Sequence, residues 1–345
     1  MSSGEVLPGS QQQNRYGKET QLLQLLRERP SGFLSGEAMS RRLKVSRTAV
    51  WKKVQTLRAS GYEIEAWRRR GYRLVQSPDL LTPSEIKSLL KTTWMGRKIH
   101  YYPVIESTNS EAYRLAHRGG QEGEVVIAES QSQGRGRMGR RWFSPPSSNV
   151  YLSVILRPPI PPHQASLVTL MAAVATANAV ENVSGLSPTI KWPNDIFLGS
   201  RKVGGLLNEI QSEIDRIHFV ILGIGVNLNL DRRSFPPKIR ALATSLKLER
   251  GEAISRKVFT CSLLEELERG YERFLREGGG VVLEAWRRKA RVKGKKIKVT
   301  SFGDVWEGKA VDVDSDGLLI LEMEDGTRRR VVAGDVVFQD GLTEN

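Results

Sequence analysis

The apolar positions of residues 18–75 recur first at helical and then at strand spacing. Two serines, Ser35 and Ser46, are suitable N-cap residues for two of the predicted helices. A helix-turn-helix followed by a hairpin is the winged-helix pattern, whose second helix enters the major groove of DNA, although the same shape also serves as a plain packing module. The predicted elements are helices around 22–26, at 36–43 and at 47–60, and strands at 62–67 and 72–75.

The predicted helix at 47–60 has one apolar face, which carries Val50, Val54 and Leu57. Its other face and the basic turn of the hairpin carry side chains that suit a groove or a phosphate backbone. Arginine on both the helix N-terminus and the wing favours DNA binding over the packing module. The predicted DNA contacts are Arg47, Thr48, Trp51, Lys52 and Arg69.

Beyond a linker that begins at Ser77-Pro78, residues 80–285 alternate apolar strands with amphipathic helices, which is typical of an α/β or α+β domain. Residues 291–340 change to short strands joined by Gly/Asp turns, which predicts a small SH3-like barrel. The clearest elements of the middle region are doubly buried strands at 125–128, 150–156 and 219–224, helices at 167–183 and 258–276, and a break at the three glycines 278–280.

Composition limits the function classes. The 345 residues carry a formal net charge of +15, which favours an anionic partner, with nucleic acid first. A single cysteine excludes an intrachain disulfide, and four histidines without close spacing make a protein metal site unexpected. Residues 1–17 lack the apolar core of a signal peptide, and the apolar run at 167–180 is expected to be too short to span a bilayer. We therefore expect a cytoplasmic protein with no membrane partner.

Residues 134–142, called the Gly/Arg loop below, read Gly-Arg-Gly-Arg-Met-Gly-Arg-Arg-Trp. Glycine lets the backbone approach a ligand, and arginine offers a permanent charge with a planar fork of donors that fits phosphate or carboxylate. Similar Gly/Arg runs occur in disordered nucleic-acid binders. Because strand-like segments flank this run at 124–129 and 149–156, we expect instead a mobile loop that closes over an anion on a folded enzyme.

Several further motifs are each weak alone. Ser-Thr-Asn is equally suited to a helix N-cap, and Trp-Pro-Asn-Asp to a turn. The Gly-x-Gly at 223–225 lacks the third glycine and the acidic residue of a dinucleotide-binding fingerprint. The motifs are Glu-Ser-Thr-Asn at 106–109, Glu-Ser-Gln at 129–131, Lys-Trp-Pro-Asn-Asp-Ile at 191–196, Arg-Lys-Val-Gly-Gly-Leu-Leu at 201–207 and Gly-Ile-Gly-Val-Asn-Leu-Asn at 223–229.

In their order and spacing these motifs and the Gly/Arg loop resemble the biotin–protein ligases. With the winged helix and the small barrel, the chain is similar to the bifunctional type, which joins a biotin–[acetyl-CoA-carboxylase] ligase to a biotin operon repressor. The implied fold class is α+β, with a winged helix-turn-helix, a central mixed α/β domain of the biotin/lipoate ligase type and an SH3-like β-barrel. The predicted domains are a disordered tail at 1–17, the winged helix at 18–76, the ligase domain at 80–285 and the C-terminal domain at 286–345.

The resemblance implies a two-step reaction. Biotin and ATP form biotinyl-5′-AMP and pyrophosphate, with Mg²⁺ on the nucleotide, and a lysine of a biotin carboxyl carrier protein of acetyl-CoA carboxylase then attacks the adenylate. It also implies operator DNA as a partner and a homodimer promoted by the ligand. A biotin-sensing regulator without ligase activity and a lipoate-type ligase are the alternatives. The intact lysine, aspartate and arginine motifs favour the enzyme, and the Gly/Arg loop followed by Lys-Trp-Pro-Asn-Asp favours biotin over lipoate.

By the same resemblance, three residues are catalytic: Lys202, Arg137 and Asp195. Asp195 is suited either to orient Lys202 or to help deprotonate the incoming amine, and Lys191 either to direct contact or to an electrostatic role. The residues matching the biotin pocket are Ser107, Thr108, Asn109, Gln131, Arg135, Gly136, Arg137 and Lys202. The residues matching the adenylate site are Arg135, Arg137, Arg140, Trp142, Asn194 and Asn227, with a core position as the alternative for Trp142.

Two places depart from the repressor-type pattern. Met138 stands where the loop often carries a basic residue, so loop charge and ligand retention are expected to differ. Residues 231–244, which would cover the adenylate, contain Phe-Pro-Pro and resemble the family only loosely.

Overall fold

A computed structural model describes residues 21–29, 32–301 and 303–338, so the predicted tail at 1–17 lies outside the described residues. The chain divides into two compact units, with the boundary after residue 88. The first unit therefore extends past the predicted winged-helix boundary at 76. The second unit contains both the predicted ligase domain and the C-terminal domain.

The first unit is four helices and a hairpin. Ser35 and Ser46 cap the second and third helices as predicted, since each hydroxyl accepts the backbone N–H three residues ahead, at 3.1 Å. The apolar faces of the helices enclose one core around Met39, Val50 and Val54. The elements are α1 (21–27), α2 (Gly36–Leu43), α3 (Arg47–Ala59), β1 (Glu63–Trp67), β2 (Gly71–Gln76) and α4 (Pro83–Lys87), with β1 and β2 antiparallel.

Helix α4 belongs to the first unit through Glu85, which is fully buried. The Tyr62 hydroxyl donates to the Glu85 carboxylate at 2.7 Å, and Arg27 forms an ion pair with the same oxygen. Burial, followed by the charge of Glu85, raises the pKa of Tyr62 above its ordinary value, so the phenol stays a donor. This buried cluster explains why the unit extends beyond the hairpin.

The second unit is built on a seven-stranded sheet of order β3-β4-β5-β9-β8-β7-β6. Strands β3 and β4 are parallel, and the other neighbouring pairs are antiparallel. The strands are β3 (Ile99–Tyr102), β4 (Val125–Ala128), β5 (Val150–Leu156), β6 (Thr189–Lys191), β7 (Asp195–Leu198), β8 (Arg201–Ser212) and β9 (Ile217–Val226). Every residue of β4 and β5 is buried, so both faces of these strands are covered, as predicted.

The helices of this unit are α5 (Thr108–His117), α6 (Ala165–Ser184), α7 (Leu246–Arg250), α8 (Arg256–Glu277) and α9 (Gly279–Lys289). Helix α5 packs on β4, β5 and β9, while α6 packs on β6, β7 and β8 and against α8 and α9. The predicted break at 278–280 is only partly right. Gly278, at φ +83°, ends α8, but α9 begins at Gly279.

The apolar run of α6 is longer than the sequence suggests. The helical segment Pro162–Ser184 is long and apolar enough to cross a membrane by length and composition, so the expectation of too short a run is wrong. However, 61% of its apolar window is buried inside the protein. Asn178 and Asn182 both donate to Glu266 of α8 at 3.1 Å, so the helix packs as part of the protein core.

The C-terminal part forms a five-stranded antiparallel sheet of order β13-β12-β11-β10-β14. Buried Ile297, Val299, Ala310 and Leu321 make its inner face. Its strands are β10 (Lys296–Ser301), β11 (Asp304–Val313), β12 (Leu319–Glu322), β13 (Arg328–Val331) and β14 (Asp335–Phe338), the last of which the sequence pattern did not predict. Strand β14 begins with Asp335.

Candidate functional site

A cavity of about 640 Å³ opens where the Gly/Arg loop, β8, β9 and β14 meet. This volume is in the range of small-molecule sites. The predicted biotin and adenylate residues all line it. Sequence reasoning missed Gly334 and Asp335, which come from the C-terminal part of the chain. Phe235, Ile239 and Leu242, from the stretch at 231–244 that was expected to cover the adenylate, form an apolar wall.

One end of the cavity lies at the N-terminus of α5, where Ser107 is the N-cap. The predicted N-cap alternative and the predicted binding role therefore coincide in one residue. Next to it, the Thr108 backbone N–H donates to Gln131 Oε1 at 2.8 Å, and the Gln131 amide nitrogen donates to the Ser144 hydroxyl at 2.9 Å. These bonds fix which way the Gln131 amide faces.

Asn109 is held from three sides. Its amide nitrogen donates to the Leu207 carbonyl at 3.2 Å and to the Glu209 carboxylate at 2.8 Å, and its amide oxygen accepts from Ser153 at 2.6 Å. A Cβ at position 223 would lie 2.0 Å from that oxygen, which explains why glycine stands there. Both amide hydrogens of Asn109 are thus used within the protein.

The centre of the cavity holds Lys202 on β8 and Asp195 on β7, whose Nζ and Oδ1 atoms are 2.5 Å apart. Gly205 leaves room for the lysine, since a Cβ there would meet Lys202 Cε at 3.1 Å. Residues 242–244 run beside β8, with the Lys202 N–H donating to the Leu242 carbonyl at 2.8 Å. The Asp195 carboxylate therefore accepts from the Lys202 ammonium, and the choice between the two roles left open by the sequence stays a prediction.

The Gly/Arg loop forms a short hairpin over this centre. Arg135 and Arg141 pair as an antiparallel bridge, and the turn carries Met138 at φ +54° and Gly139 at φ +73°. Methionine rarely adopts this left-handed conformation. The departure from the family pattern at position 138 therefore falls on the strained turn of the hairpin.

Three of the four loop arginines have a side-chain partner on another element. Arg135 pairs with Glu209 at 2.9 Å, Arg137 donates to Asn194 Oδ1 at 3.3 Å and to the Gly334 carbonyl at 3.2 Å, and Arg140 pairs with Asp335 at 2.5 Å. The loop is thus fastened to the C-terminal sheet at two points. These partners were not predicted from sequence.

The indole of Trp142 lies across two facing glycines of β8 and β9, Gly205 and Gly225. A Cβ at position 225 would come within 2.4 Å of Trp142 Nε1. The Lys202 ammonium is 5.5 Å from the centre of the ring, within cation–π range. Trp142 lines the cavity, and among the described residues its buried Nε1 atom has no hydrogen-bond partner.

The two predicted adenylate asparagines are held by the backbone. Asn194 donates to the Leu206 carbonyl at 2.5 Å, and Asn227 donates to the Thr244 carbonyl at 3.0 Å. Lys191, whose role the sequence left open, has its ammonium 5.6 Å from the ring centres of both Phe197 and Phe338. All three side chains therefore line the cavity, but each also stabilises the strands around it.

The electrostatics of the site favour an anion. Burial lowers the pKa of Arg137, against the raising effect of Asp195 and Asp335, yet a guanidinium stays charged at neutral pH. Burial alone would raise the pKa of Asp335, but the hydrogen bond from Arg140 and the charges of nearby lysines outweigh it and lower that pKa. Four cations thus surround two carboxylates: Arg137, Arg140, Lys191 and Lys202 around Asp195 and Asp335.

In the first unit, all the predicted DNA contacts are at the surface. Arg47, Thr48, Trp51 and Lys52 are exposed on one side of α3, with Trp51 at 52% exposure. The wing turn carries Arg69 at φ +66°. Its neighbour Arg70 lies over the rings of Phe33 and Trp67 at 5.7 and 5.9 Å, which fixes the base of the wing. This surface suits the groove and backbone of DNA.

Comparison with known proteins finds three family models in chain order. An HTH domain matches residues 18–73, the Biotin/lipoate A/B protein ligase family matches 101–227, and the Biotin protein ligase C terminal domain matches 293–339. The Bifunctional ligase/repressor BirA of Bacillus spizizenii is 40% identical over 89% of this chain and 95% of its own length. The protein of the same name from Escherichia coli is 31% identical over 88% and 92%.

The chain belongs to the bifunctional ligase/repressor family. A solved structure of the biotin protein ligase from Aquifex aeolicus in complex with biotin and ATP shares the fold, with a TM-score of 0.61 and 24% identity over 70% of this chain and 99% of that one. Family membership confirms the resemblance and the α+β fold class predicted from the sequence. The domain boundaries and the roles of single site residues stay predictions.

Proposed function

We propose that the protein is an ATP-dependent biotin–protein ligase that also represses transcription in response to biotin. The observation that carries this proposal is the Lys202–Asp195 pair at 2.5 Å, which lies in one cavity with the Gly/Arg loop and the polar end formed by Ser107 and Gln131. A molecule of the size of biotin, with a polar ring and a carboxylate tail, matches a cavity that has polar, apolar and cationic walls. A lipoate-type ligase is the weaker alternative, because a dithiolane ring would leave the polar end unused.

The first step joins two anions, the biotin carboxylate and the α-phosphate of ATP. The carboxylate oxygen attacks phosphorus, pyrophosphate leaves with the bonding electron pair, and a mixed anhydride remains. A catalyst must neutralise the charge and hold both groups in line. Lys202, Arg135, Arg137 and Arg140 supply the charge in this proposal, and Asp195 keeps the Lys202 ammonium aimed into the cavity.

The second step needs an amine. The lysine of a biotin carboxyl carrier protein attacks the anhydride carbonyl, AMP leaves, and the amine gives up a proton. In this proposal the Asp195 carboxylate, which accepts from Lys202, orients that lysine in step one and takes up the proton of the amine in step two. The indole of Trp142, which lies at the cavity wall, then covers the adenine, with Asn194 and Asn227 beside it. The closed hairpin keeps water from the anhydride.

Mg²⁺ enters with the nucleotide in this proposal. The described residues contain no cluster of three or more His, Cys, Asp or Glu side chains that would hold a metal by themselves. Mg²⁺ is commonly bound by substrate phosphates together with one or two carboxylates. The chain fits that mode, because Asp195 and Asp335 both line the cavity. When bound, the ion would neutralise part of the phosphate charge.

The repressor activity uses the first unit. One winged helix reads only a short half-site, so useful specificity needs two copies on an operator. We infer a homodimer promoted by the adenylate, with Arg47, Thr48, Trp51 and Lys52 toward the groove and Arg69 toward the backbone. A ligand that favours the dimer then raises operator affinity by the same coupling factor. A protein that uses ATP and operator DNA belongs in the cytoplasm.

The deciding experiment is transfer of labelled biotin to a carrier domain in the presence of ATP and Mg²⁺. We expect label on the carrier lysine and release of one pyrophosphate for each biotin. Matched reactions omit ATP or replace biotin with lipoate, and both should give none. Label transfer from lipoate alone would favour the lipoate-type ligase, and operator binding without any transfer would favour the regulator without ligase activity.

A further inference from the structure

Ser153 is a fully buried hydroxyl on β5 that lies outside the cavity. Its Oγ atom is 2.6 Å from the Asn109 amide oxygen and 2.8 Å from the Thr108 hydroxyl. Thr108 and Asn109 both line the cavity. Burial of a polar group on an otherwise apolar strand is costly, so these two contacts account for its place there.

The direction of each hydrogen bond follows from the partners. The Asn109 nitrogen faces two groups that only accept, the Leu207 carbonyl and the Glu209 carboxylate. The amide oxygen is therefore the atom that faces Ser153, and it can only accept. Ser153 has one proton, which must go to Asn109. The Ser153 oxygen is then left as an acceptor toward Thr108.

The Thr108 hydroxyl is constrained in turn. Its single proton has two acceptors in reach, Ser153 Oγ at 2.8 Å and Gln131 Oε1 at 3.1 Å, and both belong to the protein. Toward the cavity, the hydroxyl offers a lone pair. The Gln131 amide oxygen accepts from the Thr108 N–H, and one hydrogen of its amide nitrogen is donated to Ser144. The second hydrogen of that nitrogen is therefore left for a ligand.

An acceptor and a donor thus lie side by side at this end of the cavity. Such a pair matches a cyclic urea or amide, which presents an N–H next to a carbonyl. We propose that Ser153 is a positioning residue that holds Thr108 and Asn109 in register and commits the Thr108 proton to the protein, so that the pocket recognises the ureido ring of biotin. This inference rests on the proposed function and assigns a role to a residue outside the binding cavity.

The test is Ser153→Ala in the full-length chain, with biotin and ATP as separate probes. We expect the Kd for biotin to rise about tenfold, which corresponds to about 1.4 kcal/mol. The Kd for desthiobiotin, which keeps the ureido ring but lacks the thioether ring, should rise by the same factor. The KM for ATP should stay within about twofold, because the side-chain contacts of Ser153 are to Thr108 and Asn109 and not to a loop arginine. Ser153→Cys keeps a weak donor of similar size, so its Kd for biotin should lie between those of the wild type and Ser153→Ala.

Thr176→Val is the matched control, since it removes another fully buried hydroxyl, bonded to the Ala172 carbonyl in α6 at 2.8 Å and outside the cavity. It should leave the biotin Kd unchanged. Unchanged biotin binding in Ser153→Ala would overturn the inference, as would equal losses for biotin and ATP. If Ser153→Ala fails to fold, the same comparison is read from Ser153→Cys. Failure of the unmodified protein to bind biotin would instead refute the proposed function.

Discussion

Lys202 Nζ and Asp195 Oδ1 lie 2.5 Å apart on neighbouring strands of the central sheet, beneath the indole of Trp142. Both side chains are partly exposed to the cavity, at 32% and 20%. The pair is therefore open to a ligand on one side and anchored on the other. This arrangement keeps the ammonium in place when the substrate charge arrives, and it sets the first prediction.

Lys202→Ala should abolish most adenylation while leaving the fold intact. The loss of one charged contact to the reacting centre is expected to cost about 2–4 kcal/mol in the transition state. Pyrophosphate release with biotin and ATP measures it. Lys298→Ala, which removes an exposed lysine that pairs with Glu307 at 3.3 Å, is the control for loss of a surface charge. Release at the wild-type rate from Lys202→Ala would show that the assignment is wrong.

Asp335→Ala should free the Gly/Arg loop in the protein without ligand. The variant removes the 2.5 Å ion pair with Arg140 but adds no tryptic site, so faster trypsin cleavage at Arg135, Arg137, Arg140 or Arg141 reports on loop opening. Biotin plus ATP should slow cleavage in both proteins, because the loop closes over the adenylate. Asp325→Ala, which changes an exposed turn of the same sheet, is the matched control. Equal cleavage with and without ligand would contradict loop closure.

Arg47→Ala and Lys52→Ala should each weaken operator binding through a lost groove contact. Arg69→Ala should weaken it and also reduce its dependence on salt, by about one counterion for the lost phosphate contact. The rate of biotin transfer should not change. Gel-shift titrations at several salt concentrations on DNA upstream of biotin-synthesis genes measure the effect. Arg41→Ala, on the exposed side of α2 and paired with Glu37 at 3.2 Å, is the control. If the titrations of the unmodified protein with and without biotin plus ATP coincide, the repressor part of the proposed function is wrong. The ligase part is then unaffected.

Glu268→Gln should lower stability in a manner that depends on pH. Burial alone would raise the pKa of Glu268, but the backbone N–H groups of Thr93, Met95 and Trp94 outweigh burial and lower it. A carboxyl group with a lowered pKa stabilises the fold above its unfolded value, about 4.3, and loses that contribution as the pH falls through the folded value. The Tm difference between wild type and variant should therefore be largest near pH 7 and shrink below about pH 4. A difference independent of pH would contradict this account.

The sequence alone identified the local elements and the chemistry. Strands β4 and β5 appeared at their predicted bounds, because continuous apolar runs between turn signals are a local property. The N-caps Ser35 and Ser46 were equally local. The motifs were sufficient for the family, and with it for the fold class, because residue types at fixed spacing are read directly from the chain.

Only the tertiary structure decided how distant segments complete the site. Arg140 and Asp335 are far apart in the chain, and neither hydrophobic period nor motif spacing carries information across that distance. The same holds for the burial of Ser153 behind Asn109, and for Trp142 resting on Gly225 at the cavity wall. The helical and strand periods of the sequence indicate which face of an element is buried, but only the packing determines which partner that face contacts.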